Sequence, residues 1–327
     1  MNPLEKYKPL YVNELAQVDG RIKAIATGRA ELIGQLVSHI ITSGGKRLRP
    51  VFVILAAKLC GHEGDKHITM GACVEMLHTA TLFHDDVVDG SKLRRGRKTA
   101  NELWGNSASV LVGDFLLAQS FMIMAGIGSL EIIDLLSKTS SVITEGEVKQ
   151  LMHKSDIETS FEDYIEIIRG KTAELFAACC RVGGVISGAS EEKKKALEDF
   201  GLNLGISFQI ADDALDYYAD VKKLGKDTGD DFREGKATLP VIYAYSKAGA
   251  EDKEYLENIF AGNEESRDTA QFTKVKEIME RTGALKFTTE KAAQYAASAK
   301  SSLEIFAESE YKQAMLDILD FCVNRNY

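Results

Sequence analysis

Proline is almost missing from this chain: four residues in 327, Pro3, Pro9, Pro50 and Pro240. Proline stops helices, so nearly the whole length is left free to be helical. Histidine is also scarce, six in all, too few and too scattered for a site built on clustered imidazole ligands. The five cysteines, Cys60, Cys73, Cys179, Cys180 and Cys322, are odd in number and lack metal-ligand spacing. They imply no disulfide framework, and a reduced, cytoplasmic compartment is the default. Positive charge is in deficit. A net charge of −9 and a pI near 5.3 argue against nucleic acid, which selects basic surfaces. The N-terminus MNPLEKYKPLYVNEL has no apolar core of a signal peptide. No Ser-His-Asp constellation is visible. Only residues 110–130, VLVGDFLLAQSFMIMAGIGSL, are apolar for long enough to span a bilayer. Asp114 and Gln119 interrupt that run and no flanking Lys or Arg excess orients it, so a buried helix is expected there.

Apolar content of 45% suits a substantial core, and the length allows one large domain or two ordinary ones. Helical periodicity dominates, with no convincing strand alternation. Residues 10–42 are expected to form one helix with Leu32, Leu36, Ile40 and Ile41 on its apolar stripe. SGGKRLRP is a glycine corner carrying Lys46, Arg47 and Arg49, and Pro50 opens the next helix at its first turn. Further helices are expected from Ile68, through 108–125 and through 192–218, with a loop at Asn101–Asn106. Ser160 and Asp163 resemble a capping box. Lys171–Thr172 fall inside an apolar helix, where a lysine needs an anion or must reach out to water. LGKDTGDDFREGKATLP and residues 262–272 are loops, and amphipathic helices fill the C-terminal third. The chain is expected to be one all-α domain over 1–327.

Within that frame, HTATLFHDDVVDGSKLRRGR (78–97) stands out. Asp85 and Asp89 are four apart and share a helix face, with Asp86 beside them. Like charges so close repel, so the arrangement needs a reason. A hard cation supplies one: Mg²⁺ takes one or two carboxylates and leaves its other positions to substrate phosphate. Arg94 and Arg95 would then meet that phosphate as bidentate donors. His78 lies two turns earlier on nearly the same face. A single acidic cluster could be a solvated helix end. The pattern returns, however, as Asp212, Asp213 and Asp216 in FQIADDALDYY, again between apolar residues, and solubility does not explain it twice.

With both clusters in view, the chain resembles the trans-polyprenyl diphosphate synthases. Five elements stand in that family's order: GGKRLRP, HTATLFHDDVVDGSKLRRG, RGKTA, FQIADDALD and GDDFREGKATLP, over residues 44–240. The resemblance implies an orthogonal bundle of long antiparallel helices around a deep cavity, usually a homodimer. It implies that Asp85 and Asp89, with Asp86 nearby, and Asp212, Asp213 and Asp216 bind an allylic diphosphate (farnesyl or geranyl) through Mg²⁺. The family's pattern gives Lys46, Arg49, His78 and Arg95 to isopentenyl diphosphate. Arg94, Lys171, Thr172, Gln209, Lys226 and Lys236 go to the allylic diphosphate. Ionisation of the allylic substrate leaves a cation that the isopentenyl double bond attacks with trans geometry, and loss of a proton completes one five-carbon extension.

Product length follows from the face that the growing chain must descend. Thr81 is one turn before Asp85, with Ala80 next to it; both are small where short-chain members of the family commonly carry an aromatic. The product is expected well beyond the length of four prenyl units. The wording of the motifs, with LWGNSASVLVGD, looks most like octaprenyl or decaprenyl synthases that make quinone tails. Met124 and Leu136 are the expected tunnel floor. The alternatives retained are a shorter-chain synthase or one subunit of a heteromeric synthase, with at most peripheral membrane contact.

Overall fold

The structure, a computed structural model, describes residues 2–218, 229–262 and 267–323. It is a succession of helices: α1 Pro3–Lys6, α2 Val12–Ala26, α3 Glu31–Thr42, α4 Leu48–Leu59 and α5 Lys66–Val88. A minimal hairpin, β1 Leu93–Arg94 and β2 Arg97–Lys98, precedes α6 Ala100–Trp104, α7 Asn106–Ile127, α8 Leu130–Met152 and α9 Phe161–Ile168. A π-helical turn, Arg169–Ala173, leads into α10 Glu174–Ile186 and the long α11 Glu191–Tyr218. Then come α12 Asp230–Glu234, α13 Leu239–Lys247, α14 Ala250–Ala261, α15 Thr269–Thr282, α16 Ala284–Ser302 and α17 Glu310–Val323. The all-α class expected from the sequence holds. The chain divides into two compact units: Met1–Ser140 with Leu175–Glu198 and Ile305–Met315, and Ser141–Glu174 with Asp199–Glu304 and Leu316–Tyr327.

In the first unit, α4 is apolar from Pro50 to Ala57, and every residue of that run is buried. Gly183 of α10 lies so close to it that an added Cβ would sit 2.7 Å from that of Ala56. Val18 and Ile22 of α2, Leu36 and Ile41 of α3, Ala72, Met76, Ala80 and Phe83 of α5, and Val112 and Leu116 of α7 form one core cluster. The single helix expected over 10–42 is two. Gly28 takes a left-handed φ of 73° after the Thr27 cap, which turns the chain and leaves Leu32 at the surface. The loop expected at Asn101–Asn106 contains α6, and Gly105 at φ 83° separates it from α7. The apolar run on α7 is buried along one stripe only: Ser109, Val112, Gly113, Leu116, Ser120 and Met124.

Among its described residues the second unit shows these core clusters. Tyr217, Phe232, Val241, Leu256, Phe260, Val275 and Ile278 anchor one. Tyr164, Ile168, Ala173, Ile206, Ile210, Leu239 and Ala292 anchor the other, which backs α9 and α11. Ser160 caps α9 by accepting from the Asp163 amide at 3.0 Å, and its hydroxyl also donates to that side chain. α15 starts within the stretch expected to be a loop, with a capping box between Asp268 and Gln271.

Candidate active site

α5 carries the first acidic cluster in its last turn. The helix continues through its cap, where the Asp89 amide donates to the Asp85 carbonyl at 2.8 Å, so the two side chains keep the shared face expected of them. Asp86 turns the other way. It is 2% exposed and accepts from Arg94 Nε at 2.9 Å and Nη2 at 2.7 Å. Arg94 therefore clamps the end of α5 to the hairpin.

Around this helix end the first unit gathers cations. Arg47 stands at φ 48°, and its guanidinium is spent on the buried Glu75, with Asp19 at 3.5 Å and the Ile41 carbonyl at 3.1 Å. Arg49 and Arg95 are different: among the described residues neither has a carboxylate partner. Arg49 Nε is buried without a hydrogen bond, and its guanidinium lies 4.7 Å from the Phe176 ring centroid. Arg95 passes over Gly45, where a Cβ would meet its Nη1 at 2.6 Å. Burial lowers the pKa of both, and each lies in the other's field or that of a neighbouring arginine. Burial, then Arg49, Arg94, Arg95 and Arg47, push His78 well below the ordinary imidazole value, so it stands neutral. Two arginines without carboxylate partners, a neutral histidine and the exposed Lys46 form a cluster whose chemistry suits an anion.

The second unit holds the other cluster on α11. Asp213 is 3% exposed, and both its carboxylate oxygens are engaged: Tyr164 OH donates to Oδ2 at 2.6 Å and Gln209 Nε2 to Oδ1 at 2.8 Å. Asp216 accepts three backbone amides, from Gly229, Asp230 and Asp231, at 3.0–3.1 Å, and so caps α12. Asp212 is half-buried, four residues before Asp216 on the same face. Burial pushes Asp213 up to about 7, and raises Asp216 and Asp231 as well.

The π-helical turn that presents Lys171 and Thr172 fits between helices because two glycines admit it. A Cβ on Gly146 of α8 would lie 2.7 Å from the Lys171 amide nitrogen, and one on Gly205 of α11 would overlap Ala173. Such turns recur at functional sites. Thr172 Oγ1 donates to Gln209 Oε1 at 2.9 Å, and Lys171 Nζ meets Glu147 at 3.0 Å, which supplies the anion its buried stem requires. Lys171, Gln209, Asp213, Asp231 and Lys236 line one cavity of about 110 Å³ with Tyr164 and Lys154. Lys236 pairs with Glu234 at 2.6 Å. Lys226 lies outside the described residues. Tyr164, Glu147 and Lys154 were not anticipated. Tyr164 precedes Lys171 by seven residues, two helical turns, which is the one sequence signal that could have marked it.

The donor sets suit a hard divalent cation. Paired carboxylates are oxygen ligands, and three acids with raised pKa values in one unit are ionised most readily beside a cation. Among the described residues no three His, Cys, Asp or Glu side chains converge to hold an ion alone; Mg²⁺ needs no such cage where substrate phosphate completes its shell. Ala80, Met124 and Leu136 are 2%, 1% and 0% exposed in the first unit. Thr81, beside Ala80, turns its hydroxyl to the His78 carbonyl at 2.8 Å.

Paired acidic motifs on apolar helices, with arginines that have no carboxylate partner, are the features of enzymes that transfer prenyl groups. The polyprenyl synthetase family profile matches residues 30–279, and the chain belongs to that family, the trans-polyprenyl diphosphate synthases. It is 39% identical over 323 residues to the octaprenyl diphosphate synthase of Escherichia coli (strain K12), covering 99% of both chains. Its fold is similar to the crystal structure of a decaprenyl diphosphate synthase from Rhodobacter capsulatus, with TM-score 0.93, 40% identity and 99% of each chain covered. A polyprenyl synthase from Caulobacter crescentus CB15, crystallised with calcium and isoprenyl diphosphate, matches with TM-score 0.93 and 43% identity, over 99% of this chain and 98% of the other.

Proposed function

We propose that this enzyme elongates an allylic diphosphate, farnesyl diphosphate by preference, with successive isopentenyl diphosphates to an all-trans product of octaprenyl to decaprenyl length that becomes a quinone side chain. The observation that carries the reading is the pair Arg49 and Arg95, cations without carboxylate partners beside the neutral His78. With Lys46 they take isopentenyl diphosphate. Lys171, Thr172, Gln209, Lys226 and Lys236 attend the allylic diphosphate. Asp85 and Asp89 in one unit, and Asp212 with Asp213 and Asp216 in the other, serve Mg²⁺. Mg²⁺ held by these carboxylates would supply Lewis-acid neutralisation of the leaving diphosphate. The allylic C–O bond breaks, the isopentenyl double bond attacks the cation, and the diphosphate takes the proton released. Apolar side chains around Ala80 keep water from that cation. Asp86 and Arg94 contribute by holding each other in place.

The interleaved segments of the two units support one polyprenyl synthetase domain. The absence of disulfides among the described residues supports a cytoplasmic location. The apolar outer face of α7 supports a homodimer.

The test is a product assay with Mg²⁺, farnesyl diphosphate and labelled isopentenyl diphosphate, the products being sized after dephosphorylation. The expected result is a ladder ending at one polyprenol of eight to ten units. A limit at three or four units would overturn the length assignment, and no incorporation would point to an absent partner subunit. Ala80→Phe, which adds a ring to a fully packed position, is expected to shorten the ladder; an unchanged limit removes Ala80 from the path of the chain.

A further inference from the structure

The second unit contains a run of three side-chain hydrogen bonds, closed into a ring by the backbone, that none of the proposed steps uses as such. Tyr164 OH donates to Asp213 Oδ2, Gln209 Nε2 donates to Asp213 Oδ1, and Thr172 Oγ1 donates to Gln209 Oε1. Continuous helix from α9 into the π-helical turn closes the ring from Thr172 back to Tyr164. Both ends are fixed. Tyr164 is 3% exposed in the core that backs α9 and α11. α11 is pinned nearby, where Ser207 Oγ donates to the Ala292 carbonyl at 2.7 Å and Gly205 lies against Ala173.

The ring has a direction. An ionised Asp213 can only accept, so Gln209 turns its amide nitrogen to it, which leaves Oε1 to accept from the Thr172 hydroxyl. Tyr164, a phenol donor, then takes the remaining oxygen. An ionised carboxylate accepts at both oxygens without conflict. With both oxygens committed to buried donors, Asp213 is held away from Asp212 by the helix geometry, because adjacent residues on a helix face about 100° apart. A side chain so occupied orders its neighbours.

We infer that Tyr164 is a positioning residue for the second acidic motif: by holding Asp213 it fixes that carboxylate, and with it Gln209 and Thr172, in the orientation that serves Mg²⁺ and the allylic diphosphate. The inference rests on the prenyl-transfer reading above.

The experiment compares Tyr164→Phe, Asp213→Asn and the double variant with the unmodified enzyme in the Mg²⁺-dependent condensation assay, alongside thermal melts. In Tyr164→Phe the KM for the allylic diphosphate and the Mg²⁺ concentration for half-maximal rate are each expected to rise about tenfold, while the KM for isopentenyl diphosphate stays within about twofold. Asp213→Asn should show the same split, and the double variant should be no worse than the more affected single, because all three break one unit. A merely structural role lowers the melting temperature and leaves both KM values and the Mg²⁺ requirement unchanged; that result overturns the inference. So do additive losses in the double variant, since they would make Asp213 a metal ligand independent of Tyr164. An inactive unmodified enzyme would instead refute the prenyl-transfer reading itself, which keeps the two failures apart.

Discussion

Three positive charges on the glycine corner look equivalent in the sequence, yet the structure gives them different work. Arg47 turns inward to Glu75, with side-chain exposures of 13% and 5%, while Arg49 and the neighbouring Arg95 keep their guanidinium groups for an anion. Removing Arg47 leaves a carboxylate stranded in the core. Burial already raises the Glu75 pKa despite the arginine beside it. Arg47→Met is therefore expected to cost about 3–5 kcal/mol of stability by urea melt, and to raise the KM for isopentenyl diphosphate more than that for the allylic substrate. Equal effects on the two would exclude a role in setting the corner. His67 offers a separate test. It is 1% exposed, neither ring nitrogen has a partner among the described residues, and burial lowers its pKa to about 4. The folded state then binds its proton less readily than the unfolded one, so stability present above the ordinary imidazole pKa is lost as pH falls from about 6.5 toward 4. His67→Leu should flatten the pH dependence of the melting temperature in that window. A slope identical to that of the unmodified protein would show that other groups cause it.

At the scale of elements, the acidic helices were legible because carboxylates in apolar runs break a rule that helices otherwise keep. The α2–α3 break was not, since a single glycine at φ 73° does little to a periodic pattern that resumes after it. The stretch around α12 was legible only as a loop with charges, because what shapes it is remote in sequence. Asp216 caps its start with three accepted amides. Arg267, 7% exposed, donates to the carbonyls of Arg233, Ile259, Phe260 and Gly262 at 2.9–3.2 Å. Gly235, at φ 72°, passes under that guanidinium, where a Cβ would lie 2.5 Å from Nη2. Only glycine meets both demands. Arg267 therefore clasps the segment that carries Asp231 and Lys236. Arg267→Ala strands several buried carbonyls and is expected to cost roughly 3 kcal/mol or more, with faster hydrogen exchange at 230–236 than elsewhere. Uniform exchange throughout the second unit would mean that Arg267 supports the fold generally and not this segment.

At the scale of the whole molecule, hydropathy can say that a helix face wants cover but not where the cover comes from. The apolar run on α7 was expected to be buried, and one stripe is. The opposite face, with Leu111 at 67% exposure, Met122 at 64%, and Val110 and Phe121 beside them, stays open. The helix is long and apolar enough to cross a membrane, yet only 28% of its most apolar window is buried in the chain. Its buried stripe carries the polar Ser109 and Ser120, satisfied by the Phe83 and Cys73 carbonyls of α5, which is the pattern of a helix packed on protein. A second copy meeting the open face about a twofold axis would cover the same residues on both chains. Each large apolar side chain buried there contributes about 1.5–3 kcal/mol, so two charges should suffice to undo the contact. In sedimentation at micromolar concentration the unmodified protein is expected as a dimer, and Leu111→Glu with Phe121→Glu as a folded monomer. A monomeric unmodified protein would refute the second copy. If that monomer also floated with lipid vesicles, and the doubly charged variant did not, the open face would belong to a membrane surface instead.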